Sequence, residues 1–302
     1  MKKTMIVMCK ALVLLTGILL AGHLHAEPAG ADSLKNASSP LLQVELEHSL
    51  EKLGLNQAVK EKRLAVALVD ITDRDEPKLA AINGDHMMYS ASLPKIAILF
   101  GAFQRIEEGS LKLNDSVLKQ MTDMIRFSSN VAASSMLELV GPQYLLGLLQ
   151  SDRYRFYDVN NHGGLWVGKT YGKGQAFKRD PLNSLSHGAT ALQVARYYYL
   201  LETGRLVSSS ASKAMKEILG NPGVHHKFVA GLEQVHPDSA IYRKSGTWQN
   251  YHCDSALIER DGRTYIAVAL AHDPQGGEWM SRLIVEMDKI VFSHGKTVQV
   301  AG

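Results

Sequence analysis

One pair of residues beside an apolar segment has the types and spacing needed for nucleophilic catalysis. In Ser92-Leu93-Pro94-Lys95, a hydroxyl and an amine stand three positions apart, and this spacing puts both on one face of a helix. The following segment, Ile96–Phe103, is apolar on nearly every side, which predicts a buried helix. Burial lowers the pKa of an amine, so Lys95 could accept the proton of Ser92. Alternatively, Ser92 only caps the helix.

The S-x-x-K pattern alone is weak, because four other copies occur, starting at Ser49, Ser116, Ser210 and Ser293. Ser92 differs from these serines because two further motifs follow it in order. Ser128-Ser129-Asn130 is the one S-x-N sequence of the chain, and Lys244-Ser245-Gly246 is its one K-[ST]-G sequence. Each motif alone is typical of a solvated loop or a strand end. Together, the three motifs form the signature of penicillin-recognising serine enzymes.

On these motifs, the sequence resembles the class A β-lactamases and their penicillin-binding relatives over most of residues 41–292. The resemblance extends to the Gly109–Asp115 turn, to Leu200–Val207 and to the C-terminal hairpin and helix. It implies an α/β (α+β) fold of the β-lactamase/transpeptidase type. In that fold, helices flank an antiparallel sheet, and an all-helical lobe is inserted in the chain.

The resemblance also implies a role for each motif residue. Ser92 would attack a carbonyl carbon, Lys95 would take its proton, and Ser128 would relay a proton to the leaving nitrogen. The backbone N–H groups of Ser92 and Thr247 would form the oxyanion hole. The implied substrate-binding residues are Asn130, Lys244, Ser245, Gly246 and Thr247. We expect no metal and no organic cofactor.

Two stretches depart in length from the class A pattern. The stretch between Ser92 and Ser128 is shorter than in class A enzymes, so we expect a trimmed helical lobe. The stretch from Asn130 to Pro181 is longer, and residues 151–188 have little periodicity. Long irregular segments in a compact domain are usually functional, which favours a remodelled flap over an incidental surface loop.

A third departure concerns the water-activating glutamate, which class A enzymes carry in an E-P-x-L-N-like stretch. This chain has Arg179-Asp180-Pro181-Leu182-Asn183, with an aspartate in place of the glutamate. Asp180 could activate the deacylating water, with Asn183 helping to hold that water. Alternatively, Asp180 pairs with Arg179 or Lys178 and only braces the loop.

The elements that must position these residues follow from periodicity and turn signals. Apolar residues at helical spacing predict a helix over 41–53, and Asp261-Gly262 predicts a hairpin turn. We predict strands at 64–70, 78–83, 241–244, 255–259 and 264–271, and further helices within 115–150, at 191–201 and at 279–292. This order predicts one sheet built from both chain ends. The sheet lobe would comprise 41–91 and 206–302, and the helical lobe 92–205.

The first 26 residues have a basic start, a short apolar run and small residues ending at Ala26, which indicates a signal peptide. The apolar run is too short for stable membrane insertion, so we expect a periplasmic or secreted protein with a loose tether at 27–40. Cleavage removes Lys2, Lys3 and Lys10, so the 33 basic residues fall to the number of the 30 acids. A neutral mature chain argues against nucleic-acid binding.

The mature chain keeps one cysteine, Cys253, so it forms no internal disulfide. His162 and His225-His226 show no spacing typical of a metal site, and His187 is a possible loop residue near the substrate. We therefore expect a monomeric serine hydrolase that acts on β-lactam amides. The alternatives are a D-alanyl-D-alanine carboxypeptidase or similar penicillin-binding peptidase, and a sensor that is acylated without turnover.

Overall fold

The computed structural model describes residue 34 and residues 36–293, so the predicted signal peptide and most of the predicted tether lie outside the described residues. The longer helices are α1 (Pro40–Lys52), α3 (Lys95–Glu107), α4 (Asp115–Arg126), α5 (Asn130–Val140), α6 (Pro142–Gln150), α7 (Ala191–Glu202), α8 (Ser209–Leu219) and α10 (Gly276–Ser293). Two short helices are α2 (Asn56–Lys60) and α9 (Phe228–Glu233). In the described part of the chain, no helix is long and apolar enough to cross a membrane.

A five-stranded antiparallel sheet combines both ends of the described chain, as predicted. Its strands, in spatial order, are β2 (Lys78–Ile82), β1 (Leu64–Asp70), β10 (Arg263–His272), β9 (Tyr251–Arg260) and β8 (Ala240–Trp248). Asp261 and Gly262 both have positive φ and form the predicted turn between β9 and β10. Strands β8 and β9 are longer than predicted, because a second tight turn at Gln249 and Asn250 joins them directly.

Strand β1 is buried along its whole length because both faces of the sheet are covered. Its alternate residues Leu64, Val66 and Leu68 pack with apolar residues of α1 and α10. Ala65, Ala67 and Val69 pack on the other face, in the same cluster as the helices that carry the predicted site. The period-two alternation of a strand therefore divides the core into two layers.

Helix α3 lies at the centre of the helical layer. Every residue from Lys95 to Gln104 is buried, as its lack of a polar face predicts. Helices α4, α5, α6 and α8 contact it. Gly101 permits the close approach of α5 and α6, because a Cβ at this position would lie 2.8 Å from the Val140 side chain and 3.0 Å from Leu145.

The segment predicted to be irregular, residues 151–188, is tied down by very short strands. These are β4 (Tyr157–Asp158), β5 (Gly163–Gly164), β6 (Trp166–Val167) and β7 (His187–Ala189), which follow β3 (Met88–Tyr89) in the chain. Strand β7 pairs with both β3 and β6. Because β3 ends shortly before Ser92, this small sheet connects the irregular segment to the predicted nucleophile.

Candidate active site

Ser92 lies in a tight turn immediately before α3, which begins at Lys95. The N-cap position of α3 is Pro94, so Ser92 does not cap this helix. The Leu93 N–H donates to Ser90 O at 3.0 Å, and the Lys95 N–H donates to Ser92 O at 3.3 Å. Ala91 adopts a positive φ of 49°, an uncommon conformation for a residue with a Cβ. The Ser92 hydroxyl is thus carried on a sharply bent turn and not on the helix itself.

Gly246 of β8 packs directly against this turn. A Cβ at position 246 would lie 2.3 Å from Ser90 O and 2.9 Å from the Ser92 backbone nitrogen. Only glycine leaves room for this contact, which gives a physical reason for the third residue of Lys244-Ser245-Gly246. The contact brings the third motif beside the first.

The Lys95 ammonium is enclosed within the protein. Its Nζ donates to Ser128 O at 2.7 Å and to Asn130 Oδ1 at 2.8 Å, and it lies 3.3 Å from Ser128 Oγ. The ring centroid of Tyr171 is 4.5 Å from the same nitrogen. Burial lowers the pKa of Lys95 to about 7. An amine with this pKa is neutral often enough near pH 7 to act as a base.

The S-x-N motif forms the bend between α4 and α5. Ser129 caps α5, since its Oγ accepts from the Ala132 N–H at 3.2 Å. Ser128, with a φ of 57°, points its hydroxyl elsewhere: Lys244 Nζ donates to Ser128 Oγ at 2.9 Å. The two serines therefore have different tasks, and Ser128 joins the first and third motifs.

Lys244 is buried, and its Nζ also donates to Ser245 O at 2.7 Å. Burial, followed by the nearby positive charge of Lys95, holds the pKa of Lys244 well below its ordinary value. Two amines converge on one hydroxyl here. Such a site favours a bound anion, because a negative charge would stabilise the charged forms of both amines.

Lys227 and His226, which the sequence motifs did not place in the site, both contact the third motif. Lys227 is buried, and its Nζ donates to Gly246 O at 2.7 Å, to Thr247 Oγ1 at 2.8 Å and to Cys253 O at 3.1 Å. His226 Nε2 lies 3.2 Å from Ser245 Oγ. Burial is the main reason that the pKa of His226 is lowered to about 4, so this imidazole is neutral at pH 7.

A buried ion pair fixes the loop that carries His226 and Lys227. Arg243 donates two hydrogen bonds of 2.8 Å to the Asp254 carboxylate, and it also donates to Val224 O and His226 O. The Phe228 N–H donates to Asp254 Oδ2 at 3.1 Å. In the described residues, no group of three or more His, Cys, Asp or Glu side chains is arranged to hold a metal.

Asp180 is buried and accepts hydrogen bonds mainly from its own loop. Its Oδ1 accepts from Tyr157 OH and from the Leu182 and Asn183 N–H groups, and its Oδ2 accepts from the Leu185 N–H at 2.6 Å. These partners replace the Arg179 or Lys178 that the bracing hypothesis named. Arg179 donates instead to Ser184 O. The geometry favours the bracing role.

Asn183, the predicted partner of Asp180, is exposed. Its Nδ2 lies 3.5 Å from Met87 Sδ, and its side chain lines a small cavity with Met87 and Tyr89. These contacts are with the segment before Ser92 and not with Lys95. The water-holding role of Asn183 therefore stays a prediction.

The long irregular segment does supply a residue to the Lys95 environment, but this residue is Tyr171 and not an acid. The Tyr171 ring contacts the His187 ring, with centroids 4.4 Å apart. His187 is buried, its Nε2 lies 3.1 Å from Lys169 O, and burial lowers its pKa to about 4. No periodicity or motif marks Tyr171 in the sequence, because only tertiary folding brings it to Lys95.

Comparison with known proteins gives both a sequence match and structural matches. A sequence model of the Beta-lactamase enzyme family matches residues 45–120 and 116–294. No curated protein sequence matches the chain. The structural matches include an ancestral class A β-lactamase (GNCA), with 19% identity and a TM-score of 0.62, covering 82% of this chain and 99% of that one.

Two further solved structures have the same architecture. One is a β-lactamase from Sphaerobacter thermophilus, with 14% identity and a TM-score of 0.61, covering 82% of this chain and 95% of that one. The other is a substituted PBP-A in an acyl-enzyme complex with penicillin G, with 16% identity and a TM-score of 0.60, covering 85% of this chain and 98% of that one. At these identities the likeness shows the fold, which is the predicted β-lactamase/transpeptidase-like fold.

Proposed function

The chain belongs to the β-lactamase enzyme family, and from this premise we propose that it opens β-lactam amides through an ester on Ser92. One observation carries the proposal. Ser128 Oγ lies within 3.3 Å of Lys95 Nζ and 2.9 Å of Lys244 Nζ, so one hydroxyl connects the residues of all three motifs. A structural role alone gives no reason to bury two amines around a serine, because burying an amine is costly.

Acylation would then proceed through two proton transfers, of which the second joins Lys95 Nζ and Ser128 Oγ, 3.3 Å apart. Ser92 Oγ attacks the lactam carbonyl carbon, and neutral Lys95 takes the hydroxyl proton. The C–N bond breaks, and Ser128 relays a proton from Lys95 to the leaving nitrogen. The pKa of Lys95, lowered by burial to about 7, suits it to give and take this proton near neutral pH.

Two backbone N–H groups would stabilise the oxyanion, those of Ser92 and Thr247. The close contact of Gly246 with the Ser92 turn supports this assignment, because it holds β8 beside the turn. Fixed donors of this kind stabilise developing negative charge without having to reorganise during the reaction.

The remaining motif residues would recognise the substrate. Lys244, Ser245 and Thr247 would bind its carboxylate, in a site where the Lys227 ammonium already donates to Thr247 Oγ1. The Asn130 Oδ1 atom is used by Lys95, which leaves the amide nitrogen of Asn130 to donate to a substrate carbonyl.

A second function, a D-alanyl-D-alanine carboxypeptidase or related penicillin-binding peptidase, is favoured by one specific observation. The Asp180 carboxylate accepts hydrogen bonds from Tyr157 OH and from backbone N–H groups of its own loop. If Asp180 only braces the loop, hydrolysis of the ester would depend on Lys95. If Lys95 hydrolyses the ester too slowly for turnover, the protein would act as the acylated sensor.

Intact-protein mass spectrometry over time separates these functions. The purified protein is mixed with a chromogenic cephalosporin in one arm and with an acyl-D-Ala-D-Ala peptide in the other, with Ser92→Ala as the control. Turnover of the cephalosporin through a transient adduct is the expected result. Peptide cleavage together with a persistent cephalosporin adduct would establish the carboxypeptidase. A stable adduct without cleavage of either compound would establish the sensor. Absence of any adduct would refute Ser92 acylation.

We also propose that the chain is exported to the periplasm or secreted, with cleavage after Ala26, and that the mature protein is a monomer. The export proposal rests on the basic and apolar pattern of residues 1–26. N-terminal sequencing of protein recovered from outside the cytoplasm should begin at Glu27. Sedimentation of that protein should give the mass of one chain.

A further inference from the structure

Tyr171 closes one face of the Lys95 amine with an aromatic ring. The Lys95 Nζ contacts are Ser128 O, Ser128 Oγ, Asn130 Oδ1 and the face of Tyr171, whose centroid is 4.5 Å away. An aromatic face attracts an ammonium, but it neither accepts a proton nor holds a water in a fixed position. This face of Lys95 is therefore closed by a group that cannot act as a base.

The Tyr171 ring is held in place by its backbone. The Tyr171 N–H donates to Ser134 Oγ at 3.0 Å, and Ser134 Oγ donates to Tyr171 O at 3.0 Å. This one side chain of α5 fixes both sides of the residue. The His187 imidazole contacts the ring, with centroids 4.4 Å apart, and it is neutral near pH 7 because burial lowers its pKa to about 4. The backbone of Tyr171 is thus fixed by Ser134, and its ring contacts a neutral imidazole.

The Tyr171 hydroxyl does not account for this position. Its oxygen is buried and has no hydrogen-bond partner among the described residues. Leaving a buried hydroxyl without a hydrogen-bond partner is unfavourable. Since the hydroxyl gains nothing there, the ring itself must account for the position of this side chain.

The titratable groups near Lys95 show whether a base other than water can reach its amine. Lys244 lies close enough for the charge of Lys95 to lower its pKa, and His187 is affected by Lys95 in the same direction. Asp180 has its carboxylate engaged with Tyr157 OH and backbone N–H groups. The groups that contact the Lys95 amine are thus two oxygens of Ser128, one of Asn130 and a ring, none of them a carboxylate.

We propose that Tyr171 is a positioning residue that keeps water and any base away from this face of Lys95, and so prolongs the life of the Ser92 ester. The inference rests on the proposed acylation of Ser92. Hydrolysis needs a water oxygen to bond to the ester carbonyl carbon while the bond from that carbon to Ser92 Oγ breaks. One proton of the water must pass to Ser92 Oγ, and Lys95 is the base that would carry it. Because the ring keeps water away from this face of Lys95, that proton transfer is slow.

The test compares the lifetime of the penicillin adduct in three variants by intact mass after removal of free penicillin. Tyr171→Ala should shorten the lifetime by about tenfold, a smaller effect than the 10²–10⁴ that a positioned base provides. Tyr171→Phe should keep the wild-type lifetime, because it retains the ring and removes only the unpartnered hydroxyl. Tyr144→Ala is the matched control, since it removes a half-buried ring whose centroid lies 3.5 Å from Cζ of another cationic side chain, Arg105.

An unchanged lifetime in Tyr171→Ala, or an equal loss in Tyr171→Phe, would overturn the proposal. A second measurement distinguishes a failure of the Tyr171 proposal from a failure of Ser92 acylation. Lysine side-chain NMR of the free protein should show the pKa of Lys95 rising above about 7 in Tyr171→Ala, because water enters. If no adduct forms in the wild type, an unchanged Lys95 titration in Tyr171→Ala overturns the sealing role, and a raised pKa supports it.

Discussion

Lys95 and Lys244 share one hydroxyl: Ser128 Oγ lies 3.3 Å from the first amine and 2.9 Å from the second. The two lysines come from a helix and a strand separated by most of the described chain. Because like charges this close disfavour each other, at least one amine must be neutral for much of the time.

The acylation rate should rise with pH and level off above about pH 7. Burial lowers the pKa of Lys95 to about 7, and only the neutral amine accepts the Ser92 proton. Below that pH the rate should fall about tenfold per unit, in proportion to the neutral fraction. His187 and His226, with pKa values of about 4, are neutral across this range and should not contribute. Stopped-flow acylation at constant ionic strength measures the profile. A flat profile would exclude Lys95 as the base.

Replacing either amine should slow acylation, and the two losses should differ in kind. Lys95→Ala removes the base, and a loss of about 10²–10⁴ in rate is typical of such a change. Lys244→Ala should weaken substrate binding as well, because the proposed carboxylate site loses a charge. Lys213→Ala is the control, since this exposed lysine ends another S-x-x-K sequence. Wild-type acylation by Lys95→Ala would make Lys95 structural.

Gly246→Ala should destabilise the protein and slow acylation together. The added Cβ would lie 2.3 Å from Ser90 O, so the Ser92 turn or β8 must move. Overpacking of this kind typically costs about 1–3 kcal/mol. Gly147→Ala is the contrasting variant, because its Cβ would meet nothing within 4 Å on α6. It should raise stability by up to about 1 kcal/mol through helix propensity and leave acylation unchanged. Denaturant unfolding and adduct formation measure both effects, and normal acylation by Gly246→Ala would refute this packing argument.

Asp180→Asn should lower stability and leave ester hydrolysis nearly unchanged. The substitution replaces one carboxylate oxygen with an NH₂ group, which cannot accept a hydrogen bond. Either the Tyr157 OH or the Leu185 N–H therefore loses its acceptor. An unsatisfied buried group of this type costs about 1–3 kcal/mol. Asn183→Ala should have a smaller effect on both quantities. Accumulation of the Ser92 adduct in Asp180→Asn, at normal acylation rate, would instead assign Asp180 to water activation.

The sheet and the three motifs could be predicted from sequence because their signals are local. Strand β1 is a continuous apolar run, the turn at Asp261-Gly262 is explicit, and α3 has no polar face. Helix α8 was not predicted, although Ser208 caps it and its buried residues are regularly spaced.

The rest of the site depends on contacts that no local pattern encodes. Lys227 reaches Thr247 only because the Arg243–Asp254 pair folds its loop back onto β8 and β9. Tyr171 reaches Lys95 only because Ser134 of α5 holds its backbone. Both residues lie in segments where the sequence has little periodicity, so the sequence does not indicate which way their side chains point.

The pairing of β1 with β10 has a consequence for how the chain folds. Leu64 pairs with Ala271 and Asp70 with Tyr265, so the centre of the sheet joins segments from opposite ends of the described chain. Contacts of such long sequence separation form slowly, because a large loop must close before they contribute. Strand β8, which holds the Ser92 turn, is attached to β1 only through β9 and β10. We therefore expect a chain interrupted before β10 to lack the strand that joins β8 and β9 to β1, and with it the support that β8 gives to the Ser92 turn.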